Sequence, residues 1–255
     1  MDNQVDYKIA LRCAYLSSEV YGKFTDTLRF STHPNLAPKF FDIKHTDTQV
    51  ALLEDPDTQC GYVIFRGSDA DRDWWTNLDF AVWSGVTDAV LEDRHLDYPD
   101  IYGTSDSGVK MHSGFTNAYL AVRSDIHTVV GQSNMTHWIM TGHSLGGALA
   151  KLCAVDLQFN FSPGISVEAY MFGAPRVGNK AFVESYNRRV PRSWRFVNGN
   201  DVVSGLPRNW QGYRHVDTRL RLGTRLTWRI ISGSLQDHRI DRYIAALTKR
   251  AAEQG

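Results

Sequence analysis

Residues 141–150 read Thr-Gly-His-Ser-Leu-Gly-Gly-Ala-Leu-Ala, one hydroxyl held between glycines where an apolar run gives way to an alanine-rich one. Gly-x-Ser-x-Gly between a strand and a helix is the pattern of a nucleophile elbow. Gly142 and Gly146 leave room for a tight backbone turn, so Ser144 is expected at a sheet edge with its Oγ exposed. A helix beginning at Leu145 would aim its N-terminal N–H groups at the same spot, which favours a developing negative charge there. The strand-like Ile139-Met140-Thr141 before the motif and the helical Gly147–Leu157 after it separate an elbow from an ordinary glycine-rich turn.

A serine hydroxyl is a weak nucleophile at neutral pH; it needs an imidazole base, and the base needs a carboxylate to fix its tautomer. With the elbow on a strand-to-helix turn the expected chain order is Ser, acid, His. That order reduces nine histidines to His215 and His238. His215 sits among the alternating residues of an expected strand, Gln-Gly-Tyr-Arg-His-Val-Asp-Thr, and reads as structural. His238 lies at a loop-to-helix boundary and is the favoured base. Among the acids, Glu168 falls inside a strand, and Asp156 and Glu184 fall on helical patterns. Asp201 follows the strand Trp-Arg-Phe-Val and the turn Asn-Gly-Asn, just past a strand's carboxyl end, where such sheets carry their sites. Asp237, adjacent to His238, competes with it, although neighbouring residues at a helix start seldom face each other.

The elements that must position these residues are legible as periodicities. Ile9, Cys13, Leu16 and Val20 at three- and four-residue spacing predict an amphipathic helix over 7–21. Residues 49–54 and 60–66 are short β-rich runs around Asp-Pro-Asp-Thr, a hairpin or a pair of adjacent strands. Beyond Gly114 the pattern alternates: helix near 114–130, strand 137–141, helix 145–159, strand 165–172, helix 179–189, strand 193–197 and a closing helix near 238–249. Such alternation predicts an α/β fold with a mostly parallel central sheet flanked by helices.

With 255 residues, 42% of them hydrophobic, the chain is expected to form one domain over residues 1–255. Its three scattered cysteines, Cys13, Cys60 and Cys153, fit neither a disulfide framework nor a zinc site. There is no basic-then-apolar leader and no run long enough to span a bilayer, so the expectation is a soluble protein without signal peptide or transmembrane segment, cytoplasmic favoured. Net charge is zero but unevenly spread: residues 1–128 hold 11 Lys+Arg against 20 Asp+Glu, and residues 129–255 hold 17 against 8. Ten arginines lie between 188 and 229 against Asp201 and Asp217 alone. No nucleic-acid-binding signature accompanies them, so no nucleic acid is expected. Pairing with the acidic half of the fold competes with peripheral contact with an anionic lipid interface.

Six blocks in order, Phe-Arg-Gly-Ser (65–68), His-Ser-Gly-Phe (112–115), the elbow (141–150), Phe-Gly-Ala-Pro-Arg-Val-Gly-Asn (172–179), Asn-Asp-Val-Val (200–203) and Asp-His-Arg-Ile-Asp-Arg-Tyr (237–243), make the chain resemble the class 3 lipases. This group includes fungal triacylglycerol lipases, feruloyl esterases and plant and bacterial acylhydrolases. The resemblance implies an α/β-hydrolase fold and a Ser144, Asp201, His238 triad. It also implies an oxyanion hole from the backbone N–H groups of Ser68 and Leu145, and a short helical lid and hinge at about 69–83. Trp74, Trp75 and Leu78 would share one lid face toward substrate, while Trp83 reads equally well as core. His143 belongs to the motif but is expected to point away from the chemistry. Asn77 stands where many family lids carry an acid, which puts a hinge bond to Ser68 in question. The implied activity is hydrolysis of lipid esters through an acyl-enzyme, with no cofactor. Phospholipase or galactolipase A1-type activity, a short-chain or feruloyl esterase, and an inactive lipid-binding module are the alternatives. Asp69, Asp71 and Asp73 imitate a calcium loop, but Trp74 replaces the required glycine and Phe80 the closing glutamate, so no metal is expected.

Overall fold

Seven strands form one sheet in chain order: β1 (Lys39–Ile43), β2 (Thr48–Asp55), β3 (Cys60–Phe65), β4 (His137–His143), β5 (Ser166–Phe172), β6 (Ser193–Asn198) and β7 (Arg219–Leu222). The first three are antiparallel neighbours, and β3 through β7 run parallel. This computed structural model describes residues 4–25, 28–68, 108–216, 218–223 and 236–254. The expected lid and hinge at 69–83, with Trp74, Trp75, Leu78 and Trp83, lie outside the described residues.

Helices cover both faces, as parallel strands require. On one face lie α2 (Ser113–Gln132) and α3 (Leu145–Phe161), and the hydrophobic cluster there takes Val63, Phe65, Trp138, Met140, Ala169 and Met171 from the sheet. On the other face α1 (Tyr7–Glu19) packs against α5 (Ile240–Glu253), over Tyr62, Ile64, Ile139, Tyr170, Phe172 and Phe196. Successive strand residues therefore point to opposite cores, which is why β3 to β6 read as continuous apolar runs rather than alternating ones. A fourth helix, α4 (Lys180–Arg189), follows β5. Asp6 caps α1, its Oδ1 accepting from the Lys8 and Ile9 backbone N–H groups at 2.8 and 3.1 Å.

Two expectations shift. The closing helix starts at Ile240, so His238 precedes it. His215 is not in a strand: β7 begins at Arg219, and the neighbouring Arg214 is tied only by an isolated bridge to Gly178. The edge strands β1 and β7 went unpredicted because they are short and partly exposed, without a buried run to mark them.

No described helix is long and apolar enough to cross a membrane.

Candidate functional site

The carboxyl ends of β3, β4, β5 and β6 converge on one edge of the sheet, and each delivers part of the site. At the end of β4 the ladder continues one residue further, with the Ser144 N–H donating to the Phe172 carbonyl at 2.9 Å. The backbone then reverses at Ser144 with φ 58° and ψ −126° and enters α3. A non-glycine residue held there stores on the order of 1–3 kcal/mol of strain, characteristic of functional turns. The flanking glycines are required by contact. A Cβ on Gly142 would come within 2.3 Å of the Gly146 carbonyl carbon, and one on Gly146 within 2.3 Å of the Phe65 oxygen. The extension of β3 thus runs against the first turn of α3, which brings Ser68 and Leu145, from two different strand ends, to the same edge.

Past β6, the turn to Asp201 closes with the Asp201 N–H donating to the Asn198 carbonyl at 3.0 Å. The Asp201 carboxylate is buried and accepts from three directions. His238 Nδ1 lies 3.0 Å from Oδ1 and 2.9 Å from Oδ2, the Val203 N–H donates to Oδ1 at 2.9 Å, and the Tyr243 hydroxyl donates to Oδ2 in a short bond. Burial, reinforced by the adjacent carboxylate, holds the Tyr243 phenol well above its ordinary pKa, so it stays a donor. Because a carboxylate can only accept, Nδ1 carries a proton, which leaves Nε2 as the ring nitrogen that Asp201 does not hold. Gly173, at φ +59°, is the residue that lets the pair fit: a Cβ there would lie 2.7 Å from Asp201 Oδ2 and 2.9 Å from the His238 ring.

Of the competing residues, neither sits at this position. Asp237 turns its carboxylate to the Asn200 N–H at 2.9 Å, and its carbonyl accepts from Asn198 Nδ2 at 3.0 Å, bracing the Asp201 turn from behind. His215 Nε2 donates to the Ser204 carbonyl at 2.5 Å, and Arg176 donates to the carbonyls of Gly205 and of Pro207, the latter at 2.7 Å. Burial, with Arg195, Lys151 and Arg176 nearby, drives the His215 pKa far below its ordinary value, so this histidine is a neutral clamp. Lys151, also buried, donates to the Pro175 carbonyl at 2.5 Å, and burial lowers its pKa well below the usual lysine range. In the His-Ser-Gly-Phe block, His112 caps α2, its Nδ1 accepting from the Phe115 N–H at 3.4 Å; burial pushes its pKa down to about 4.

His143 does not point away from the His238 pair. Its ring lies against the His238 ring, centroids 4.4 Å apart, and its Nε2 meets the His238 carbonyl at 2.7 Å. Sequence reasoning missed this contact and the Tyr243 bond, although Tyr243 closes the last block quoted above.

A strained serine at a strand-to-helix turn, with a carboxylate–imidazole pair on the same sheet edge, defines an α/β-hydrolase architecture. Residues 62–210 match the family described as lipase (class 3), and the chain belongs to that family. It is 33% identical over 176 residues to a lipase of Rhizomucor miehei, covering 66% of this chain and 43% of that one. It is also 33% identical over 147 residues to a secreted mono- and diacylglycerol lipase of Malassezia globosa, covering 55% and 47%. The chain thus spans under half the length of either relative. A solved triacylglycerol lipase whose title describes a serine protease triad as its catalytic centre superposes with a TM-score of 0.67 at 26% identity, covering 84% of this chain and 79% of that one.

Proposed function

We propose that this protein is a carboxylic ester hydrolase acting on lipid esters, with Ser144 as nucleophile, His238 as base and then acid, and Asp201 as the group that orients and charges the imidazole. The observation that carries this reading is the Asp201 bond to His238 Nδ1 on the sheet edge where Ser144 takes its strained turn. Ser144 Oγ adds to the ester carbonyl as its proton passes to His238 Nε2. The resulting oxyanion is met by the backbone N–H groups of Ser68 and Leu145, the latter at the positive end of α3. The tetrahedral adduct collapses as His238 returns the proton to the leaving alkoxide, giving an alcohol and an acyl-Ser144. Water, deprotonated by the same imidazole, then releases the carboxylic acid. Every proton taken is given back, so no cofactor is needed.

The names of the relatives support glycerolipid esters as the substrate class, and the phospholipase, galactolipase and feruloyl esterase alternatives keep the same chemistry with a different acyl or leaving group. Some relatives are described as secreted, which gives the cytoplasmic expectation no support. We carry the single domain, the lid at 69–83 and contact with a lipid interface as parts of this proposal. A hydrolysis panel of mono-, di- and triacylglycerols, phospholipid, galactolipid and feruloyl esters, run with the native chain and Ser144→Ala, tests it. Release of fatty acid from acylglycerols by the native chain alone is the expected result. Equal rates in both proteins would defeat the mechanism, and activity confined to another ester class would move the substrate assignment.

A further inference from the structure

The bonds around His143 determine its protonation pattern. The His238 carbonyl can only accept, so His143 Nε2 bears the proton and donates to it across 2.7 Å. Nδ1 is then a lone pair, and the Tyr21 hydroxyl, 3.1 Å away, donates into it. His143 is buried, and burial next to His238 pushes its pKa down to about 3. Tyr21 also reaches the arm that carries Ser68. A Cβ on Gly67 would lie 2.0 Å from the Tyr21 hydroxyl and 2.9 Å from the His143 carbonyl, while the Arg66 guanidinium sits over the Tyr21 ring, 5.8 Å from its centroid. One phenol at the end of α1 therefore touches the Ser68 arm and the strand that leads into Ser144, and it connects through a single imidazole to the main chain of His238.

We infer that Tyr21 and His143 are positioning residues for His238: the phenol anchors the His143 ring by its Nδ1 edge, and the His143 N–H fixes the His238 backbone from which the basic imidazole swings. The inference rests on His238 being the base. Two physical consequences make the arrangement matter to the reaction. First, Asp201 holds only the Nδ1 edge of the ring, so with the backbone free the ring would pivot about that bond and Nε2 would drift from the reacting oxygen. Second, the two rings are 4.4 Å apart, so a protonated His143 would oppose the positive charge that His238 gains in each half-reaction. A neutral donor supplies the hydrogen bond without that repulsion. A second amide-type donor satisfies both requirements, whereas an apolar side chain of similar size adds no charge but leaves the His238 carbonyl without its donor.

Tyr21→Phe, His143→Gln and His143→Leu in the full chain test this on a soluble short-chain ester. Because ångström-scale misplacement of a catalytic group costs about 100-fold, kcat should fall about 100-fold in His143→Leu and about 10-fold in Tyr21→Phe, with KM changing by no more than about twofold. His143→Gln, whose amide N–H can still reach the His238 carbonyl, should recover most of the loss. In parallel, proton NMR of the same substitutions in a Ser144→Ala background follows the low-field resonance of the His238 Nδ1 proton. That signal should persist with His143→Gln and shift or broaden with His143→Leu and Tyr21→Phe. Native kcat in His143→Leu or in Tyr21→Phe, or an unaltered Nδ1 resonance in both, overturns the inference. Equal impairment by Gln and Leu overturns it as well. If the unsubstituted chain hydrolyses no ester, the function proposed above fails, while the resonance still decides whether the pair positions His238.

Discussion

Two buried aspartates in this molecule each gather a tyrosine and a histidine, and only one of them sits where chemistry can follow. Asp201, at the carboxyl edge of the sheet, accepts from Tyr243, His238 and the Val203 N–H; among the described residues no arginine or lysine bonds it. Asp156, on α3 facing α2, accepts from Tyr119 at 2.5 Å and from His127 Nε2 at 2.6 Å. It also takes a bidentate pair from Arg123 at 2.9 and 3.1 Å and an amide bond from Asn160. The guanidinium neutralises Asp156 and fixes it as a staple between two helices. Among the described residues the Asp201 carboxylate has no such counter-ion, so its field acts on the imidazole, which it holds by Nδ1 alone. A Tyr–Asp–His cluster is therefore not a site by composition; the difference lies in whether the carboxylate is already neutralised and in which edge of the ring it holds.

That contrast is broken most sharply by removing one charge at a time. Asp201→Asn should lower kcat by about 10⁴-fold, since the amide imposes the wrong imidazole tautomer, while leaving the thermal transition near its native value. Asp156→Asn should do the reverse. Hydrolysis per folded molecule should be retained and stability lost by about 2–4 kcal/mol, because Tyr119, His127 and Arg123 would lose the buried carboxylate that ties them together. Steady-state rates beside thermal melts read both. A folded Asp156→Asn protein that is catalytically dead, or a fully active Asp201→Asn protein, would erase the distinction.

Acid stability sharpens it further. His143 and His112 are held neutral, with pKa values depressed to about 3 and about 4 from an ordinary 6.5, and His215 is lowered as well. Between those values and 6.5 the unfolded chain binds protons that the native chain refuses. This contribution to stability is complete above pH 6.5 and declines as the pH falls toward 4, by up to about 1.4 kcal/mol per pH unit for each histidine. Denaturant melts from pH 7 to pH 4 should show that decline, and it should be shallower in His143→Gln. A slope unaffected by that substitution would mean His143 is not the neutral buried group described above.

Among smaller effects, His215→Ala and Asp237→Asn should keep measurable rates and lose mainly stability, because each braces the Asp201 turn without touching the His238 Nδ1 edge. Rates as low as those of Asp201→Asn in either variant would reverse the assignment of acid or base. Replacing Trp74 and Trp75 by serine should depress hydrolysis of emulsified lipid more than that of a soluble ester; equal losses would make the two tryptophans core residues.

Much of this architecture was legible in the sequence because β3 to β6 and the helices between them are buried on their packing faces and so carry strong apolar patterns. Ser144, Asp201 and His238 emerged from the elbow and the required chain order. The edge strands escaped because Lys39–Ile43 and Arg219–Leu222 are short and half exposed. His215 was misread as a strand residue because its alternating neighbours are held by an isolated bridge instead of a ladder. Tyr243, Tyr21 and His143 escaped for another reason. Their bonds join residues 42, 122 and 95 positions apart, and no local periodicity encodes a contact of that separation.

Covalent labelling with a fluorophosphonate probe, read by peptide mass spectrometry, reports whether Asp201-oriented His238 activates Ser144. One label per folded chain is expected on Ser144, formed rapidly in the native protein and in Asp156→Asn, and nearly abolished in His238→Ala and Asp201→Asn. Labelling that spares Ser144, or that proceeds at the native rate without His238, would contradict it.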